Sequence, residues 1–183
     1  GVFLMDSAGA MNDFEVSSKV SFLRNEITGT FRWNIPVGFH PHNNLGMAVA
    51  NGLHAVACGA TMIDGTTRGL GAGAGNCPLE VLVPVLHKMG YKTGIVEDAL
   101  FECAEYIRSQ FPPQEITPIS VTSGIAGVFS GFKPLVEKAS KKYKVDSHAI
   151  FKELGKQKVV AGQEDQIIKV AKELRTHPIE ALS

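Results

Sequence analysis

The sequence has little cysteine, no excess of either charge and no long hydrophobic run. Its 18 basic residues balance 18 acidic residues, so no long-range field favours nucleic acid or an anionic membrane. No basic run is interleaved with aromatic residues, which argues further against nucleic-acid binding. The apolar runs fall short of the ~20 residues that span a bilayer, and the amino terminus does not look like a secretory signal. We therefore expect neither nucleic acid nor a membrane as a partner.

The three cysteines, Cys58, Cys77 and Cys103, are too widely spaced for a disulfide framework. Their odd number and the absence of close pairs also argue against a zinc clip. Buried free thiols are typical of a reducing compartment. The sequence therefore predicts a cytoplasmic protein.

Apolar runs alternate with helical patterns in the first half of the chain. The predicted strands are residues 2–5, 35–39 and 60–64, with a short further strand at 91–95. We expect the first helix to be capped by Asn12 or Asp13 and the second by Asn43 or Asn44. Strands that alternate with helices predict a parallel sheet or a barrel.

The second half of the chain follows a different pattern, because helices follow one another without strands. The predicted helices are residues 97–110, 134–143, 147–154 and 163–174. This change predicts a second, small domain that begins near residue 96. The chain also starts inside a buried strand pattern without an initiator methionine, which indicates part of a larger fold.

Polar residues suited to chemistry follow the predicted strands. His40 and His42 stand two apart, which places two side chains on one face of a strand with α-carbons about 6.5 Å apart. Two imidazoles so placed can share a divalent ion if a third ligand comes from elsewhere. The alternative is two ordinary polar side chains bonded to neighbours or water. Asp6, Ser7 and Asp64 also follow strands, and function lies at the carboxyl ends of strands in parallel β/α folds, which supports the metal site.

A glycine-rich loop at residues 69–75 precedes Asn76. A phosphate-binding loop is one interpretation, but Ala74 breaks the usual glycine spacing and no Walker lysine follows. We favour a flexible active-site loop. Asn76 either caps the next helix or turns its side-chain carbonyl toward the ion. Ser7 lacks a nucleophile elbow, so we expect it to hydrogen-bond a substrate oxygen or to cap the turn. The other histidines carry no pattern that indicates a ligand: His54, His87, His148 and His177.

Several motifs, in the right order, resemble the 4-hydroxy-2-oxovalerate aldolases. In the first half these are GFHPHNNLG at 38–46, VAN at 49–51, GLGAGAGN at 69–76 and PLEV at 78–81, together with residues 5–11. In the second half, residues 126–128, 143–146, 153–155 and 162–165 are similar to the helical communication domain of that family. The resemblance implies an α/β fold. Residues 1–95 would form the carboxy-terminal part of a (β/α)8 TIM barrel, and residues 96–183 a small, mainly helical communication domain.

The resemblance also implies an activity: cleavage of 4-hydroxy-2-oxovalerate to pyruvate and acetaldehyde, a step of aromatic hydrocarbon catabolism. A divalent ion, most often Mn²⁺, would act as a Lewis acid. By resemblance His40 and His42 are metal ligands, and Ser7, His40 and Asn76 contact the substrate. The helical domain is expected to dock an acylating acetaldehyde dehydrogenase, which receives the aldehyde.

Two departures from the family pattern are visible. The family's third metal ligand, an aspartate, lies with a catalytic arginine and a base histidine near the start of the barrel, in an amino-terminal half-barrel that this sequence lacks. The family's catalytic tyrosine is replaced by Phe129, and a second tyrosine by Ile125. A phenyl ring cannot transfer a proton or form the hydroxyl's hydrogen bonds. We therefore expect this chain alone to be inactive.

Three alternatives remain open at this stage. The chain could be a degenerate, non-catalytic aldolase relative whose helical part binds a dehydrogenase, as Phe129 suggests. An oxidoreductase with a nicotinamide cofactor on the glycine-rich loop is poorly supported. A two-histidine, one-carboxylate iron oxygenase is compatible with the ligand types, but the barrel-like alternation disfavours it.

Overall fold

A computed structural model describes residues 1–32 and 35–176 of the chain. Three parallel strands form one sheet in the order β1 (Val2–Asp6), β2 (Val37–Pro41) and β3 (Met62–Ile63). Helix α1 (Asp13–Asn25) connects the first two strands and α2 (Ala48–Ala57) connects the second and third. The predicted parallel β/α alternation is therefore confirmed.

Six further helices complete the described part of the chain. They are α3 (Leu79–Lys88), α4 (Glu97–Gln110), α5 (Pro118–Ile125), α6 (Lys133–Tyr143), α7 (Ser147–Lys156) and α8 (Asp165–Thr176). None of the helices in residues 1–32 and 35–176 is long and apolar enough to cross a membrane.

Asn12 starts α1 by accepting from a backbone N–H that has no partner within the helix. The side chain of Asn12 accepts from Glu15 N, and Glu15 returns a bond to the backbone of Asn12. The cap predicted for α2 at Asn43 or Asn44 is wrong, because Met47 occupies the cap position and its side chain makes no cap bond. Asn43 Oδ1 instead reaches across the preceding turn and accepts from Ala48 N at 3.2 Å.

The structure corrects the strand predictions. Residues 91–95 form no strand, because the segment bonds to the helices beside it: His87 Nε2 lies 2.8 Å from Thr93 Oγ1, which also accepts from Ile95 N. The third strand is shorter than predicted, and the second begins and ends two residues later than predicted.

Helix α5 was absent from the sequence prediction. It begins with a capping box in which Thr117 and Ser120 bond each other's backbone N–H groups, and Pro118 occupies the first turn. Its interior is poor in strong helix formers, and for this reason the sequence did not predict the helix. Its burial decides the conformation, since Ser120 and Ser123 are almost fully buried.

The helices of the β/α half cover one face of the sheet. Val37 and Phe39 of β2 are buried against Val16 and Val20 of α1. Because side chains alternate along a strand, His40 points to the opposite face. The hydrophobic pattern of β2 therefore directs the first histidine away from the helices.

The helices of the second half have their own core, which α6, α7 and α8 surround. Its largest buried side chains are Phe132, Val136, Ile150, Phe151, Leu154, Ile167 and Val170. Helix α4 packs instead against α3 and the turn at Thr67–Gly69. A domain boundary between residues 95 and 96 stays a prediction.

The side-chain amide of Asn44, which is fully buried, connects three distant segments. Its Nδ2 donates to Ser120 O of α5 at 3.2 Å. Its Oδ1 accepts from Ala74 N of the glycine-rich loop at 3.3 Å and from Ser130 Oγ at 3.1 Å. One amide therefore holds the loop after β2, the glycine-rich loop and the helical half together.

We predict that Asn44→Ala destabilises the fold by about 2–3 kcal/mol, because it leaves several buried polar groups without a partner. The neighbouring Asn43→Ala variant is the control and should cost about 1 kcal/mol, because it removes only the hydrogen bond from Ala48 N to Asn43 Oδ1. Urea denaturation followed by circular dichroism measures both. Equal losses for the two variants would contradict the role given to Asn44.

Candidate metal centre

His40 and His42 come together at the carboxyl end of β2. Their ring centroids lie 5.1 Å apart and the ring planes are 65° apart. His40 is partly exposed, whereas His42 is 8% exposed. The structure thus brings the two imidazoles to one place, on the face of the sheet opposite to the one that packs against α1.

His42 is held in this position by the glycine-rich loop. It forms an isolated antiparallel bridge with Asn76, and Asn43 N donates to Gly75 O at 2.8 Å. Burial, and then the charge of His40, lower the pKa of His42. A neutral imidazole is the form that binds a metal ion. His42 Nδ1 is buried and has no hydrogen-bond partner.

Asn76 does not cap the next helix, because α3 begins at Leu79 after Pro78. Its Nδ2 donates to Leu70 O at 3.1 Å, while its Oδ1 is buried and has no partner. A Cβ at Gly71 would lie only 2.5 Å from Asn76 Nδ2, so glycine leaves the room that this amide occupies. The loop therefore fixes Asn76 Oδ1, which has no hydrogen-bond partner within the described part of the chain.

Asp6, the last residue of β1, and Ser7, which follows it, have different roles. The backbone carbonyl of Ser7 accepts from Ser130 N at 3.0 Å, which ties the end of β1 to the helical half. Asp6 is buried and its carboxylate accepts from Ala10 N and Met11 N at 2.9 and 3.1 Å. Burial raises the pKa of Asp6 despite these bonds. Asp6 therefore stabilises the turn after β1.

Asp64, at the end of β3, contacts His40. The distance between His40 Nδ1 and Asp64 Oδ2 is 3.2 Å. The sequence prediction placed Asp64 at a strand end without a partner. The contact could not be predicted without the register between β2 and β3, in which Phe39 pairs with Ile63.

The donor set suits a first-row divalent ion. Two imidazole nitrogens and an amide oxygen are ligands that such ions accept, and two of the buried atoms that lack a partner, His42 Nδ1 and Asn76 Oδ1, belong to this set. Within the residues that the structure describes, no group of three or more His, Cys, Asp or Glu side chains is placed to hold a metal. The residues present therefore fit one side of a metal site.

Phe129, which the resemblance predicts to replace a catalytic tyrosine, packs against the core of the helical half. Its ring packs edge to face on Phe132 with centroids 5.5 Å apart, and its neighbour Ser130 bonds to Ser7. Ile125, predicted to replace a second tyrosine, is 76% exposed. Phe129 is thus the chain neighbour of Ser130, the residue that connects the end of β1 to the helical half.

The remaining histidines of the described chain have hydrogen-bond partners away from this site. The pairs are His54 with Ser17, His87 with Glu97 and Thr93, and His148 with Thr122. His177 lies outside the described residues.

Comparison with known proteins agrees with this architecture. The HMGL-like family model matches residues 2–107, and the model of the DmpG-like communication domain matches residues 114–176. The carboxyl transferase domain of pyruvate carboxylase from Rhizobium etli superimposes with a TM-score of 0.75 over 96% of this chain and 31% of that chain, at 18% identity. HMG-CoA lyase from Bacillus subtilis gives a TM-score of 0.53 at 28% identity, over 63% of this chain and 39% of that one. The fold class is therefore part of an HMGL-like TIM barrel followed by a communication domain.

Curated sequences identify the family within this class. A 4-hydroxy-2-oxovalerate aldolase from Pectobacterium atrosepticum is 50% identical over 94% of this chain and 49% of its own length. The enzyme of that name from Pelotomaculum thermopropionicum is 46% identical over 99% of this chain and 52% of its own length. The chain belongs to the 4-hydroxy-2-oxovalerate aldolase family. It spans about half the length of the curated relatives it matches.

We predict that Cys77, next to Asn76, does not react with thiol reagents in the folded protein. Burial and the nearby Glu80 raise the pKa of the Cys77 thiol to about 12. At pH 8 only about one thiol in ten thousand is then ionised, and the thiolate is the reactive form. Labelling with dithionitrobenzoate should modify the exposed Cys103 first and Cys77 only after unfolding. Cys103→Ala is the control, and a fast thiol that disappears in Cys77→Ser would contradict the burial.

Proposed function

We propose that this chain contributes one side of the active site of a 4-hydroxy-2-oxovalerate aldolase, a carbon–carbon lyase. The observation that carries the proposal is the convergence of the His40 and His42 rings, 5.1 Å apart, at the carboxyl end of β2. That position is where β/α barrels hold their active sites. The half-length match to proteins named as this aldolase supports the same assignment.

In this proposal His40 and His42 hold the ion, and Ser7, His40 and Asn76 contact the substrate. The ion, Mn²⁺ by resemblance, supplies Lewis acidity at the 2-oxo acid end of a 4-hydroxy-2-oxo acid. The chain's own residues orient the groups: the glycine-rich loop fixes Asn76 through Leu70, and Ser130 fixes the backbone of Ser7. Burial of His42 keeps its ring neutral and ready to bind.

The site needs further groups for catalysis. The resemblance assigns an aspartate ligand, an arginine and a base histidine to the first half of the barrel, which this sequence does not include. Two neutral ligands and an amide bind a divalent ion weakly without a carboxylate. We propose that the chain alone binds Mn²⁺ weakly and cleaves no substrate, and that an amino-terminal half-barrel completes it.

The helical half, residues 96–183 in the predicted division, is proposed to dock an acylating acetaldehyde dehydrogenase. The match of residues 114–176 to a communication domain supports this role. The half also has a core of its own, so it can present a stable surface. A cytoplasmic location and a place in aromatic hydrocarbon catabolism belong to the same proposal.

A second candidate function follows from Phe129. Because this ring carries no hydroxyl and packs on Phe132, a non-catalytic relative that only binds the dehydrogenase is the competing proposal. In that case the helical half would keep its partner while the completed barrel stays inactive.

The metal proposal predicts that Mn²⁺ binds weakly to the wild-type chain and that the double variant His40→Ala, His42→Ala lowers the affinity at least about tenfold. Isothermal titration calorimetry with MnCl₂ measures this directly. His148→Ala removes a histidine that bonds Thr122 instead and should leave the affinity unchanged. Equal binding by the wild type and the double variant would rule out the site.

The catalytic proposal predicts pyruvate from racemic 4-hydroxy-2-oxovalerate when the chain is mixed with the amino-terminal half of the Pectobacterium atrosepticum relative. Phe129→Tyr should then raise the rate about tenfold or more, because a hydroxyl can take part in proton transfer. A coupled lactate dehydrogenase assay measures pyruvate. The non-catalytic proposal predicts instead that neither the wild-type chain nor Phe129→Tyr produces pyruvate with the added amino-terminal half, although gel filtration shows that the chain and this half associate.

A further inference from the structure

The register of the sheet places Asp64 beside His40. Because Phe39 of β2 pairs with Ile63 of β3 in a parallel ladder, the next residue of each strand lies side by side, and both side chains point to the same face. Asp64 N donates to Phe39 O at 3.0 Å, which extends the ladder to this residue. The contact between the two side chains therefore follows from backbone pairing.

The backbone of Asp64 is also fixed on its other side. Thr66 N donates to Cys77 O at 2.9 Å. A Cβ at Gly65 would lie 2.7 Å from the same carbonyl oxygen, so the chain can pass this close to Cys77 only with glycine there. The carboxylate thus extends from a segment that is held at both ends.

The hydrogen bond between the two side chains has only one direction. A carboxylate has no proton to donate, so the 3.2 Å contact between His40 Nδ1 and Asp64 Oδ2 is a hydrogen bond only when Nδ1 carries the hydrogen. In a neutral imidazole the other ring nitrogen, Nε2, then has a free lone pair. A carboxylate in this position fixes both the tautomer and the orientation of a ligand histidine.

We propose that Asp64 is a positioning residue of the metal site, which holds His40 in the Nδ1–H tautomer and presents Nε2 to the ion. This inference rests on the proposed function and deepens it by adding a residue that does not touch the metal. The side chain of His40 is 20% exposed, and that of Asp64 is 50% exposed. Loss of a half-exposed carboxylate costs the fold little, whereas loss of the ring's orientation changes the site.

The tautomer of His40 can be measured without any metal. Long-range ¹H–¹⁵N NMR spectra of the histidine-labelled chain, recorded at about pH 8.5 where a free imidazole is neutral, distinguish Nδ1–H from Nε2–H rings. His40→Gln assigns the signal. We expect the Nδ1–H pattern in the wild type and a shift toward Nε2–H in Asp64→Ala. Asp64→Asn retains an acceptor oxygen and should lie between them, and Asp98→Ala, on the exposed side of α4, is the matched control.

Metal affinity supplies the second readout. Mn²⁺ should bind about 10–100-fold more weakly to Asp64→Ala than to the wild type, with a smaller loss in Asp64→Asn and none in Asp98→Ala. An Nε2–H ring in the wild type, an unchanged tautomer in Asp64→Ala, or a changed tautomer with unchanged Mn²⁺ affinity would each overturn the inference. A wild-type chain without Mn²⁺ binding would count against the proposed metal site, while the tautomer spectra still decide the contact with Asp64.

Discussion

The buried amide of Asn44 is the interaction on which the rest of this arrangement depends. A buried polar group without a partner costs free energy comparable to a lost hydrogen bond or more, so an amide in this place must find its partners. It finds them in the glycine-rich loop, at Ala74, and in the helical half, at Ser120 and Ser130. The loop that follows His42 is therefore bonded to both of these segments through one buried side chain.

This constraint explains why the candidate site and the helical half are physically joined. The backbone N–H of Ser130 donates to the carbonyl of Ser7 and its hydroxyl donates to Asn44 Oδ1, so the same residue links the helical half to the loops after β1 and β2. Phe129 is its chain neighbour and packs on Phe132 in the helical core.

Some polar groups at the candidate metal site have hydrogen-bond partners, and others have none. Asp6 uses its carboxylate on Ala10 and Met11, and Asp64 bonds His40. His42 Nδ1 and Asn76 Oδ1, by contrast, are buried without a partner. Most buried polar atoms in folded proteins are paired, so these two atoms, one of them on a converging imidazole, mark the place where a ligand would supply the missing partner.

Much of this could be read from the sequence, because local patterns determine it. Apolar runs and caps such as Asn12 specified the β/α alternation, and two-residue spacing placed His40 and His42 on one face. The strand expected at 91–95 and the missed helix α5 show the limit: side-chain bonds of Thr93 and the capping box of Thr117 and Ser120 accompany conformations that local propensity did not predict. The partner of Asp64, the role of Asn44 and the orientation of Asn76 depended on the tertiary structure. The contact of Asp64 with His40 spans 24 positions of the chain, and that of Asn44 with Ala74 spans 30. Contacts over such distances depend on how the strands and loops pack, for Asp64 on the register of β2 and β3, and no local sequence pattern encodes that packing.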